Sequence, residues 1–115
     1  MDMKRLSALQ TAGIDTESAL RRFGGNSALY EKFLMKFPQD DSFAQIGPAL
    51  EQEDWAAALT AAHTLKGVSG NLGMDRLFRS CSEIVSLLRE KNDAEAVKAY
   101  EKLQSAYEDV IRALK

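Results

Sequence analysis

His63 is the single histidine of this 115-residue chain. It sits in the string Ala61-Ala62-His63-Thr64-Leu65-Lys66-Gly67, with Gly70 and Leu72-Gly73 following. An imidazole suits reversible proton or group transfer near neutral pH, because a nitrogen lone pair is available there. A lysine three residues further on supplies a flexible point charge for an anion. The glycines are conspicuous, since each costs about 1 kcal/mol relative to alanine inside a helix and the segment otherwise reads as one long amphipathic helix.

At about 100° per residue, Trp55, Ala58, Ala62, Leu65, Ser69 and Leu72 gather into one apolar stripe, and His63 lies well off its centre. The neighbours of His63 on the exposed side are three, four and seven positions away: Ala56, Leu59, Thr60, Lys66, Gly67 and Gly70. Most are small, so another protein's backbone can approach the ring closely. Leu59, Thr60, Gly67 and Gly70 are the candidate docking residues, and Lys66 is the candidate for offsetting negative charge carried on the ring. Gly67 admits a second reading, as the position just after a helix C-cap, which would leave His63 in an exposed last turn.

Other chemistries fit poorly. A metal site needs several ligands, and one histidine, one cysteine and no Glu-x-x-His pair lack the di-iron pattern of helical bundles. A hydrolase needs a nucleophile within reach of an oriented base; Thr64 is about 100° round the helix from His63, and nothing orients Thr60 or Ser69. No Gly-x-x-x-x-Gly-Lys-[Ser/Thr] loop is present to cradle nucleotide phosphates, so self-phosphorylation from ATP is not expected.

The elements that must position His63 are all helical. Met3 to Ala12 fits a short helix, and Asp15 or Thr16 can cap a second that ends before Gly24-Gly25. Asn26 or Ser27 starts the next, with Leu29, Tyr30, Phe33, Leu34 and Phe37 at helical spacing. Pro38 interrupts it, and the pattern resumes through Phe43, Ile46 and Leu50, giving a bent helix or two pieces up to about Glu51. Phe33 and Phe37 read as core. Asp54 caps the histidine helix. After a break at 70–73, Asp75 begins a helix bearing Leu77, Cys81, Ile84 and Leu88, with Cys81 as an inert buried thiol. Asn92-Asp93 makes the next turn and cap, and the last helix places Val97, Tyr100, Leu103, Tyr107, Val110 and Leu114 on one side. The expected fold is all-α, an up-and-down four-helix bundle with one or two short additional N-terminal helices, in one domain over residues 1–115.

With these residues in place, His63-x-Leu65-Lys66-Gly67 followed by Leu72-Gly73 resembles the signature of histidine-containing phosphotransfer (HPt) domains, the intermediate carriers of two-component phosphorelays. The resemblance extends from roughly Gly13 to the C-terminus through Gly13-Ile14-Asp15, Phe23-Gly24-Gly25-Asn26, Leu29-Tyr30, Phe33 to Phe37, and the helix of Leu77, Cys81 and Leu88. It implies that a nitrogen of His63, the outer one, takes a phosphoryl group from a receiver-domain phospho-aspartate and passes it reversibly to another receiver. Lys66 would offset the phosphoryl charge, and Gly67 and Gly70 would admit the receiver's loops. The partners implied are receiver domains of a hybrid sensor kinase or response regulator, with Mg2+ on the receiver and no cofactor in this chain. Some members carry a glutamine on the following helix near the histidine, where this chain has Ile84-Val85-Ser86; Ser82 or Ser86 are the available substitutes. Two other readings remain: the phosphotransfer domain of a chemotaxis-type histidine kinase, and a helical interaction module with an incidental histidine.

Composition bounds the setting. The 115 residues suffice for a core without disulfides or metal, and 45% hydrophobic with 28% charged residues is ordinary globular composition. A net charge of −2 offers no basic face for nucleic acid. No run reaches the ~18 apolar residues of a membrane span, Met1-Asp2-Met3-Lys4 is no signal-peptide start, and the lone Cys81 fits a reducing compartment. A cytoplasmic monomer is expected, its apolar stripes consumed within one bundle.

Overall fold

The computed structural model describes residues 2–115. Its helices are α1 (Met3–Thr11), α2 (Thr16–Arg22), α3 (Ser27–Lys36), α4 (Ser42–Glu51), α5 (Trp55–Asn71), α6 (Asp75–Arg89) and α7 (Asp93–Leu114), with a 3-10 turn at Phe37–Gln39 between α3 and α4. Helices α4 to α7 form the bundle. α5 packs against α4 and α6, α6 against α7, and α1 docks on α7. Of the bent helix or two pieces expected up to Glu51, the structure has two pieces. Pro38 sits in the first turn of the 3-10 segment, where its missing N–H is not needed.

Local chemistry accounts for most helix starts. The side chains of Asp2, Asp15, Asn26 and Asp54 each accept a hydrogen bond from the backbone N–H three residues on, at 2.8–3.1 Å, which satisfies an otherwise orphaned donor. Helix α6 starts differently. Met74 at its N-cap has no side-chain bond to offer; instead Gly13 O accepts from Arg76 N–H at 3.4 Å, beside an antiparallel bridge between Ile14 and Met74. Asn92 occupies the cap position of α7, but its side chain makes no capping bond.

The helix ends share one device. After α5, Met74 N–H donates to Ser69 O at 2.9 Å and Gly73 N–H to Gly70 O at 3.3 Å, around Gly73 at φ +74°. This paired closure through one left-handed residue is a Schellman motif. It recurs after α4 around Glu53 (φ 56°) and after α6 around Lys91 (φ 60°), so α5, α6 and α7 are each turned back on the helix before. It also removes the reading of Gly67 as a C-cap glycine, because α5 runs on to Asn71.

The core joins Ile46 and Leu50 of α4, Ala58, Ala62 and Leu65 of α5, Leu77, Cys81, Ile84 and Leu88 of α6, and Leu103, Val110 and Leu114 of α7. Two expectations need correction. On α7 the buried line is Ala96, Ala99, Leu103, Ala106, Val110 and Leu114, whereas Val97 is 48% exposed. Alanines let the helices approach closely, which rotates the buried face away from Val97; Tyr100 and Tyr107 sit at its edge, where Phe43 stacks on Tyr107 at 3.9 Å between ring centroids. On α3 and the 3-10 turn after it, Tyr30, Leu34 and Phe37 face inward with i, i+4, i+7 spacing, but Phe33, read as core, is 44% exposed. Phe33 is one position, about 100°, from Leu34.

Among the described residues no helix is long and apolar enough to cross a membrane.

Candidate functional site

Helix α5 projects His63 into solvent between two buried residues, Ala62 and Leu65. Among the described residues no hydrogen bond or ion pair occupies the imidazole, and the hydroxyls nearest in sequence point elsewhere. Thr60 Oγ1 donates to Ala56 O at 3.1 Å, Thr64 Oγ1 to Thr60 O at 3.0 Å, and Ser69 Oγ to Lys66 O at 3.0 Å. Each hydroxyl proton is committed to its own helix, as serine and threonine commonly do, so none is poised as a nucleophile activated by the ring.

The remaining sequence-derived residues fall around this ring to different degrees. Thr60 and Gly67 are exposed, and Leu59, Lys66 and Gly70 are half-buried. A Cβ at Gly67 would meet nothing within 4 Å, whereas one at Gly70 would lie 3.1 Å from Cδ2 and 3.2 Å from Cε2 of Phe78. Gly67 therefore leaves the surface open, and the open side of Gly70 is filled from α6. The Lys66 ammonium stands 5.8 Å from the centroid of that same Phe78 ring, within the range of a cation–π contact.

On α6, Ile84 and Val85 are buried in the core, so neither can replace a polar group beside the histidine. Ser82 Oγ donates to Phe78 O at 2.9 Å, and Ser86 is exposed. Cys81 is fully buried against the core. Burial pushes its thiol pKa up to about 12, against smaller opposing pulls from the Ser69 hydroxyl and the Lys66 charge. A thiol so rarely ionised is no nucleophile.

The N-terminal helices hold the end of α5. Asp15 N–H donates to Gly73 O at 2.7 Å, an Arg22 guanidinium N–H to Gly70 O at 2.7 Å, and the buried Tyr30 hydroxyl to Leu72 O at 2.9 Å. Three carbonyls in the turn that closes α5, those of Gly70, Leu72 and Gly73, thus accept hydrogen bonds from α2, α3 and the loop before α2. Beside this junction lies a groove of about 520 Å³ whose lining includes Phe23, Phe33, Phe37, Val68 and Leu72, with Arg22 and Lys36 contributing positive charge and Asp40 a carboxylate. Sequence reasoning missed the exposed Phe33 and the half-buried Val68 as lining of this groove. The only available signal was that position 33 sits off the 30, 34, 37 line.

Among the described residues no group of three or more histidine, cysteine, aspartate or glutamate side chains is placed to hold a metal. With the bundle and the exposed histidine in view, the family follows. Residues 28–113, well over half of the chain, match the Hpt domain family, and the chain belongs to it. Membership places it among the histidine phosphotransfer domains of phosphorelays. Searches of the curated proteins and of the solved structures find no match.

Proposed function

We propose that this chain is a phosphorelay intermediate that takes a phosphoryl group from a receiver-domain phospho-aspartate onto a ring nitrogen of His63 and hands it to the aspartate of another receiver. The observation that carries this reading is the single histidine, solvent-facing and unengaged among the described residues, one helical turn from a glycine whose surface is open. In the forward step the nitrogen lone pair attacks phosphorus, the bond from phosphorus to the aspartyl oxygen breaks, and the carboxylate leaves with the electron pair. The return step is the reverse. Such transfer depends on positioning and charge neutralisation rather than on covalent machinery of the protein. Lys66 offsets charge on the phosphoryl group, and the receiver supplies Mg2+.

The receiver's loops reach the ring across Leu59, Thr60 and Gly67. The groove at the end of α5, with exposed Phe33 and half-buried Val68 offering an apolar lining and Arg22 and Lys36 at hand, extends that contact. The chain has no loop for ATP phosphates, so the phosphoryl group comes from a partner. The setting is cytoplasmic and the working form a monomer.

The test incubates the protein and its His63→Gln variant with a phosphorylated receiver domain and follows the label in alkali, where phosphohistidine survives and acyl phosphate does not. Alkali-stable label on the wild type and none on the variant is expected. Label appearing only with a chemotaxis-type kinase and ATP would replace the donor in this reading, and label on the variant would remove His63 as acceptor.

A further inference from the structure

Gly70 returns to within about 20° of the azimuth of His63 and lies roughly 10.5 Å further along the helix. The Phe78 ring seated on Gly70 therefore stands on the same side of α5 as the imidazole, two turns away. Lys66 is between them, and its ammonium rests over the Phe78 ring at 5.8 Å. None of the ion pairs among the described residues involves Lys66. Its contact with Phe78 thus restrains the lysine without neutralising it.

Resting on the phosphocarrier reading above, we propose that Phe78 is a positioning residue for phosphoryl transfer, holding the Lys66 ammonium on the His63 face of α5, and that Gly70 is required to seat this ring rather than to admit the partner. A lysine free to sample its rotamers loses that freedom when it engages an anion. One already restrained over a ring loses less, and its charge remains available because an aromatic face does not cancel it. Gly70 carries no side chain for the same reason that the ring fits: an added Cβ would fall 3.1 Å from Phe78, forcing the ring and the ammonium above it to shift.

The experiment measures the rate of transfer from a phosphorylated receiver to the wild type, Phe78→Leu, Phe78→Trp, Lys66→Gln and the double variant Lys66→Gln/Phe78→Leu, each checked for a cooperative melt. Leucine keeps apolar bulk and removes the ring face, whereas tryptophan keeps the face. Phe78→Leu is expected to slow transfer about two- to fivefold, the size of an exposed cation–π contact. Phe78→Trp is expected to restore the rate, and Phe78→Leu to have no further effect once Lys66 is glutamine. A merely structural Phe78 would slow both backgrounds equally, and that result, or a wild-type rate in Phe78→Leu, would overturn the proposal. If the wild type takes no label from the receiver, the phosphocarrier reading falls first and the positioning role with it.

Discussion

Replacing Gly73 with alanine should be the most damaging small change in this chain, and its cost can be worked from the turn that ends α5. Gly73 is at φ +74°, where an L-residue pays about 1–2 kcal/mol. Its new Cβ would lie 2.5 Å from the Asp15 carbonyl oxygen and 2.9 Å from Ala19 Cβ. Neither neighbour is the flexible end of a side chain. The carbonyl accepts the first hydrogen bond of α2 from Ala19 N–H at 3.1 Å, and Ala19 is fully buried. Relieving the overlap means moving the loop and weakening the 2.7 Å bond from Asp15 N–H to Gly73 O. Overpacking of this kind adds about 1–3 kcal/mol, for a total of about 2–5 kcal/mol. At roughly 4 °C per kcal/mol for a chain of this size, the melting temperature should fall by about 8–20 °C. Gly67→Ala is the matched control: in the interior of α5 with nothing near its Cβ, it should gain up to about 1 kcal/mol while slowing transfer by crowding the docking surface. Thermal melts followed by circular dichroism decide the point. A Gly73→Ala melt within about 2 °C of wild type would refute both the need for left-handed backbone and the rigidity of the Asp15 carbonyl.

Other outcomes follow from the same physics. Tyr30 is raised to about 12 from 10.0, chiefly by burial, and Cys81 to about 12 from 9.0 by the same cause. Both hold their protons more tightly folded than unfolded, so their stabilisation is whole below about pH 9 and is lost as the pH climbs toward 12. Denaturation across pH 8–12 should show this decline, and Tyr30→Phe should flatten it above pH 10 while costing about 1 kcal/mol for the lost bond to Leu72 O; an unchanged slope would count against burial as the cause. Lys91 holds a left-handed conformation without being glycine. Lys91→Gly should therefore stabilise by about 0.5–1 kcal/mol, the relief of about 1–2 kcal/mol of strain less the extra freedom of the unfolded chain, read from the urea midpoint. His63→Gln should leave stability within about 0.5 kcal/mol of wild type, as expected for an exposed side chain without partners, so its loss of label cannot be laid to unfolding.

Much of the architecture was legible in the sequence because it depends on neighbours along the chain. Asp15, Asn26 and Asp54 start their helices by bonding an N–H three residues away, and Pro38 breaks the helical run through its own missing donor. Such interactions need no knowledge of the fold. His63 stood out for a similar reason: its place off the stripe of Ala58, Ala62, Leu65 and Ser69 is a matter of helical angle, and the structure leaves it exposed. What the sequence could not decide was which of two adjacent positions a helix turns inward. Phe33 and Val97 are as hydrophobic as their buried neighbours, and their exposure follows from where α5 and α6 lie, not from their own properties. The same holds for the glycines. Gly67, Gly70 and Gly73 look alike in the sequence, yet Gly67 faces open space, Gly70 receives a ring from α6, and Gly73 allows close approach of the loop before α2. Phe78 is brought in by the helix that follows and Asp15 by the chain's N-terminal part, while Gly67 meets nothing, so what separates the three glycines exists only once the chain has folded.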